Sequence, residues 1–546
     1  MAADTGVPVE EPIVLPSRSD PVVRALSTAF GGPIGRRARL GAARWWTPVR
    51  LLVLFAVLGS TLGWMQKSSC ATHGYTHEYQ YSRLCYTDVL ALWYDEKLDA
   101  GRVPTVEAVD PSAPDPSNVS DHKYVEYPVV IGGLMAAAQG LTLHLVSDQP
   151  TGSERRAIDT FAQDQKLGLD RSSVQADRDR YAIDQYRAAN ATAAYETRRA
   201  RWFFDFTALF MVVFAVVVVV CTGLTAGRRR VWDAAMVGLC PVLVLHADVN
   251  WDLAAVAFTA AALLSWSRRA PKLAGMFLGL GAATKLFPVL LLVPLLALCI
   301  RAGLVRVWLK TAAVAVAAWL VVDVPFMIVN WNGWWYFYGF SSRRGTEYNS
   351  LFYAWQYFVR GANDPMSYHA MDLVELVVVL LLLAGIFLVC LVARRRPRLA
   401  QVAFLSVLAF VLSNKVYSPQ YALWLLPLVV LARPRWRAFL VWQLSEVLLL
   451  VTLYAHLIYV DKGGAKGIGY AWFFALGNGP RDLVLLVLAG LVLREIARPE
   501  LDVVRADGAD DPGGGLLDHA PDVFAPSPAP VAAAAGSPWA AERAPG

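Results

Sequence analysis

The feature that most constrains this chain is its recurrent long apolar runs, such as "FTALFMVVFAVVVVVCTGLTAG" and "LVELVVVLLLLAGIFLVCLVA". A helix needs about 20 apolar residues to cross the hydrocarbon of a bilayer. A helix apolar on every side for that length has no face to offer water. Of 546 residues, 56% are hydrophobic and 17% charged, which argues against several soluble domains. The expected fold is an all-α polytopic membrane protein with about ten to twelve spans.

The formal charge of +6 is modest, and the basic residues cluster where apolar runs end, so membrane lipids rather than nucleic acid are the expected partners. Six such clusters, "AGRRRVW", "SRRAPK", "RAGLVRVWLK", "ARRRPR", "ARPRWR" and "REIARPE", are expected on the cytoplasmic side with both termini. The loops between them are then external: "HADVNWD", "ATKLFP", "NWNGWWYFYGFSSRRGTEYNS", "NKVYSPQY" and "DKGGAKGIGYAWF". All are rich in aromatic and polar groups, which implies one external working surface.

Residues 1–48 read as a disordered basic cytoplasmic tail and 499–546 as a disordered Pro/Ala/Gly-rich one. Between them, 49–498 form the membrane domain, with a long first external loop over 67–201 that carries a charged helical insertion at 150–201. The apolar stretch Tyr127 to Val146 is either a juxtamembrane or re-entrant helix or an additional half-span. Four cysteines lie in apolar runs, whereas Cys70 and Cys85 lie in the polar loop. An oxidising compartment would allow those two a local disulfide, and their spacing does not suggest a metal site.

No phosphate loop, CxxC pair, HExxH or GxSxG is present, so any chemistry must come from scattered external groups. Asp88 opens an amphipathic "VLALWYDEKL" and is either a helix cap or a base. Glu126 and Tyr127 stand at another membrane entrance, where capping is again the alternative. Asn250 and Asp252 belong to "HADVNWD", where ionisable groups are costly unless paired or functional. Lys285 is either a snorkelling lysine or a point charge for a phosphate. Arg343, Arg344 and Asn349 sit among aromatics that suit a sugar face. Lys415, Ser418, Gln420 and Tyr421 in "NKVYSPQYALWLLPL" form a last polar edge. Pro419 there suits the first turn of a helix.

The phrases "LCYTDVLALW", "VEYPVVIGGL", "VNWDLAAVAFTAAALLSW", "GLGAATKLFPVLLLVPLL" and "NKVYSPQYALWLLPL" resemble the actinobacterial branch of glycosyltransferase family 87, of the GT-C superfamily. The resemblance runs from about Leu51 to Arg494. It implies a GT-C type bundle with juxtamembrane helices in the first external loop. It further implies transfer of a sugar, often mannose, from a polyprenyl-phosphate donor to a glycolipid or envelope glycan outside the plasma membrane. The mechanism implied is inverting and metal-independent, with no cofactor and an acid of the first loop as base, a position matched by Asp88. The competing readings are a transporter or flippase of lipid-linked sugars and a non-catalytic envelope-assembly protein. Transport would expect charges near the bilayer midplane, for which Asp205, Asp323 and Glu446 are the candidates.

Overall fold

In the computed structural model, residues 20–31, 47–73, 78–108, 124–171, 173–361 and 366–523 are described. Their regular structure is entirely helical. Among the described residues six helices are long and apolar enough to cross a membrane, and five shorter apolar helices lie among them.

Long and short helices divide the work of burial. Leu399–Ser413, fifteen residues and about 22 Å long, buries twelve of its side chains, and Ala422–Ala432 buries all eleven. Helices this short fall short of a roughly 30 Å hydrocarbon layer, and their upper ends stop at the floor of a cavity. The long helices enclose them: Val305–Val329 buries only Thr311, Ala315 and Asp323 and turns the rest outward. Close contact between layers uses small residues. A Cβ on Gly275 or Gly279 would come within 2.2 Å of the Thr311 or Ala315 carbonyl oxygen, so helix Pro271–Ala282 fits against Val305–Val329 only as glycine at both positions.

Three acids within the long helices each accept an indole N–H. Asp205 accepts from the Trp64 indole at 2.7 Å, Asp323 from Trp334 at 2.8 Å and Glu446 from Trp442 at 2.8 Å. Three carboxyl groups that transport would need for an ion path are instead tied to indole donors.

The basic clusters meet at one end of the bundle, and residues 499–523 lie across them. Arg398, 2% exposed, donates to Asp502 at 2.7 Å and to the carbonyls of Leu431 and Ala432. Arg301 forms a two-point pair with Asp522, and Arg395 pairs with Asp510. Arg230 reaches the Val503 carbonyl, Trp266 that of Gly514 and Arg435 that of Leu501. The first half of the expected disordered tail is therefore packed. Composition missed it because its aspartates are spaced among Gly and Pro to meet arginines distant in sequence. Likewise Pro21–Gly31 is helical, and Asp20 accepts from the Trp436 backbone amide at 3.2 Å. Residues 1–19, 32–46 and 524–546 of the two expected tails lie outside the described residues.

At the opposite end the first loop is pinned to helix Pro48–His73. Cys70 and Cys85 form a disulfide, and the buried Lys67 donates to the Leu84 carbonyl at 2.9 Å. Helix Val129–Leu145 starts beside Ala283 and ends beside Arg199. Within it Gln139 donates to the Leu98 and Arg102 carbonyls at 2.8 Å, which packs the helix against the first loop. Gly152–Lys166 and Gln175–Glu196 then form a charged hairpin closed by Arg180–Asp164 and Arg198–Glu154 pairs. Its second helix runs on into the span Arg198–Ala226 across Thr197 alone.

Candidate active site

A cavity of about 970 Å³ opens at the loop end, above the short buried helices. Of the residues singled out in sequence, Asp88, Glu126, Tyr127, Asn250, Lys285, Arg344, Asn349, Lys415, Ser418, Gln420 and Tyr421 all line it. They come from segments up to 333 positions apart, from Asp88 to Tyr421. Asp252 and Arg343 do not line it. Asp252 lies behind the wall, wholly buried, accepting from Trp424 Nε1 at 3.0 Å. Arg343 packs back against Gly339 of its own helix.

Asp88 is not the helix cap. Thr87 fills that place: its hydroxyl accepts from the Val89 amide at 3.2 Å and donates to the Asp248 carbonyl at 2.7 Å. The Asp88 amide is bonded to the Val249 carbonyl at 2.8 Å, so the first turn is anchored to the loop beneath it. That anchoring leaves the carboxylate turned to the cavity, where Tyr127 Oη donates at 3.3 Å and Asn250 Nδ2 at 3.4 Å. Burial pushes the Asp88 carboxyl above its ordinary range, opposed by a hydrogen bond from Tyr86 and by the charges of Arg344 and Lys285. Burial, and then Asp88 itself, likewise raise the Tyr127 phenol. A carboxylate so placed is a stronger base than one in water and can accept a proton from a hydroxyl in the cavity.

Three cations line the cavity and differ in what already holds them. Lys415 is buried, ion-paired to Asp372 and bonded to the Ser342 carbonyl at 3.1 Å. Arg344 is ion-paired to Glu347, whose carboxylate also takes the Ser418 hydroxyl at 3.0 and 2.9 Å. Lys285 approaches Asp252 at 3.5 Å and lies 5.0 Å from the Tyr127 ring centre. Among the described residues its ammonium makes no hydrogen bond, so its donors are the most available to an incoming anion.

Aromatic rings complete the walls. Tyr421 stacks on Trp424 at 3.9 Å, and Trp424 on Phe287 at 4.5 Å. Pro419 does open the first turn of the segment that carries Tyr421. Asp372 and Glu375 also belong to the lining and were not singled out, and Glu347 of the aromatic loop lines it as well. The first two stand three apart at the head of "MDLVELVVVLL", a spacing that puts both on one helix face. Two carboxylates at the entrance of a span were the available signal. His246 and the tyrosines at 81, 86, 348 and 454 also face the cavity, and nothing in their separate segments announces that they meet.

Among the described residues one group could hold a metal ion, Asp510, Asp518 and His519. It lies at the basic end, where Asp510 is already paired with Arg395.

No curated protein and no solved structure matched the chain in comparison. The sequence model of glycosyltransferase family 87 matches residues 198–413, the stretch that supplies Asn250, Lys285, Arg344 and Asn349 to the cavity. Residues 198–413 are thus similar to glycosyltransferase family 87, and they lie in a helical architecture with six helices, among the described residues, long and apolar enough to cross a membrane.

Proposed function

We propose that the chain transfers a sugar, mannose in the first instance, from a polyprenyl-phosphate donor to a glycolipid or envelope glycan. The observation that carries this reading is that Asp88 opens onto the same cavity as Lys285 and Arg344. An acceptor oxygen attacks the anomeric carbon as the bond from that carbon to the phosphate oxygen breaks. The bonding pair leaves with the phosphate, the hydroxyl proton passes to Asp88, and configuration inverts. Phosphate is a good leaving group once its charge is met, so Lys285 and Arg344 suffice and neither a metal nor another cofactor is required. Lys415, held by Asp372, shapes the rim beside Ser418, Gln420 and Tyr421. Glu126 and Asn349 offer acceptors to sugar hydroxyls.

The reaction is assigned to the outer face of the plasma membrane, with both termini cytoplasmic. The supports are the basic clusters at the other end of the bundle and the disulfide beside the cavity. The indole-bound acids of the spans weigh against a flippase.

The test supplies full-length enzyme in nanodiscs with radiolabelled polyprenyl-phosphate mannose, or the arabinose equivalent, and a lipid extract as acceptor source. Labelled product is expected from the wild type, with a drop of about 10²–10⁴-fold in Asp88→Asn. Undiminished activity in that variant would remove Asp88 as the base. An inactive wild type with both donors would remove the proposed donor class.

A further inference from the structure

One corner of the cavity, Asn349 apart, has no part in the chemistry so far described. Tyr81, Tyr86 and Tyr454 pack there with ring centres 6.4 and 5.6 Å from Tyr81, and Tyr348 belongs to the same aromatic cluster. His246 and Asn349 face the cavity in that neighbourhood, 1% and 3% exposed. Among the described residues neither ring nitrogen of His246 has a hydrogen-bond partner, nor does Asn349 Oδ1. Two polar side chains this buried and this unsatisfied are costly to keep unless a ligand completes them.

We propose that this corner, made by Tyr81, Tyr86, Tyr348 and Tyr454 with His246 and Asn349, seats the acceptor's sugar ring. The inference rests on the glycosyl-transfer reading above and assigns the side from which the acceptor arrives. A neutral imidazole offers one donor and one acceptor, and the amide oxygen a further acceptor, a set that matches neighbouring hydroxyls of a pyranose. Tyrosine faces suit the C–H faces of the same ring. Tyr86 is hydrogen-bonded to the Asp88 carboxylate, so the corner is continuous with the base. Inversion requires attacking oxygen and leaving phosphate on opposite faces of the anomeric carbon. The cations have other neighbours: Lys285 stands by Asp252 and Tyr127, Arg344 by Glu347 and Lys415 by Asp372. An acceptor seated against tyrosines, with its hydroxyl at Asp88, leaves those cations to the donor. Tyr81, Tyr86 and Tyr454 lie outside residues 198–413, so half of the corner's six residues come from chain beyond the family match.

The experiment is saturation-transfer difference NMR on the full chain in nanodiscs, using methyl manno-, gluco- and galactopyranosides as probes and dodecyl phosphate as a donor-phosphate mimic. At least one glycoside should bind saturably, and dodecyl phosphate should not displace it. Asn349→Ala and His246→Gln, each eluting as the wild type does, should weaken binding by about tenfold, the scale of one hydrogen bond. The proposal is overturned if no glycoside binds, if both variants bind as well as the wild type, or if dodecyl phosphate competes. Glycoside binding without transfer from any polyprenyl-phosphate sugar would sustain the subsite and defeat the donor assignment. Transfer without glycoside binding would do the reverse.

Discussion

Tyr127 Oη donates to Asp88 Oδ2 across 3.3 Å while its ring carries Lys285 5.0 Å from its centre. One side chain thus joins the proposed base to the proposed phosphate-binding cation, and it comes from the turn that launches helix Val129–Leu145.

The base should show in the pH profile. Asp88 acts only when deprotonated, and burial raises its carboxyl, so activity should fall on acidification at a pH above the ordinary aspartate value of about 4. Asn250→Ala removes a donor that favours the carboxylate, which moves the acid limb to still higher pH. Initial rates of transfer between pH 4 and 8 measure this; a limb that stays put in Asn250→Ala would refute the coupling.

Lys285 should matter more to the donor than Lys415 does. Lys285→Ala is expected to lower kcat/KM by about 10²-fold, the loss of one preorganised contact to the leaving group, with partial rescue by Lys285→Arg. Lys415→Met, which unpairs Asp372, should act mainly on stability. Donor titrations alongside thermal melts separate the two effects.

The Cys70–Cys85 disulfide closes a loop across a separation of 15 residues, three positions before Asp88. Replacing both with alanine should cost about 3 kcal/mol by loop-closure entropy. It should also slow transfer, because the approach to Asp88 then keeps its hydrogen bonds from Lys67 and Gln66 but loses its covalent tie to helix Pro48–His73. Thermal melts and turnover of the double variant report both.

At the other end, Asp502→Ala leaves the buried Arg398 guanidinium without its carboxylate. A loss of about 3–5 kcal/mol is expected for breaking such a pair from one side. Unfolding in nanodiscs measures it, and a melt equal to that of the wild type would contradict the packing of residues 499–523.

Orientation is open to direct labelling. A cysteine at Asp170, in the hairpin turn, should react with an impermeant maleimide on intact cells, and one at Arg229, among the basic clusters, only after lysis. Both positions are exposed, and the natural cysteines are buried or bonded. The opposite pattern would invert the topology.

Much of this protein follows from its sequence alone. Runs of twenty apolar residues must become buried or lipid-facing helices, because backbone groups in hydrocarbon have no other partners. Basic clusters alternating with aromatic loops sort those helices into two ends. Polar residues at membrane entrances such as Lys285 and Lys415 point to a site because leaving them there is costly. What only the tertiary structure decided is which of them share a wall. Asp252 and Lys285 look alike as membrane-edge charges, yet Trp424 takes Asp252 into the interior while Lys285 faces the cavity. Asp88 reads as a cap until Thr87 is seen to bond across to the Asp248 carbonyl. The aspartates after Pro499 pass for part of a loose tail until Arg301 and Arg398 are seen beside them. Each outcome depends on a partner more than a hundred residues distant, and local patterning carries no information about that distance.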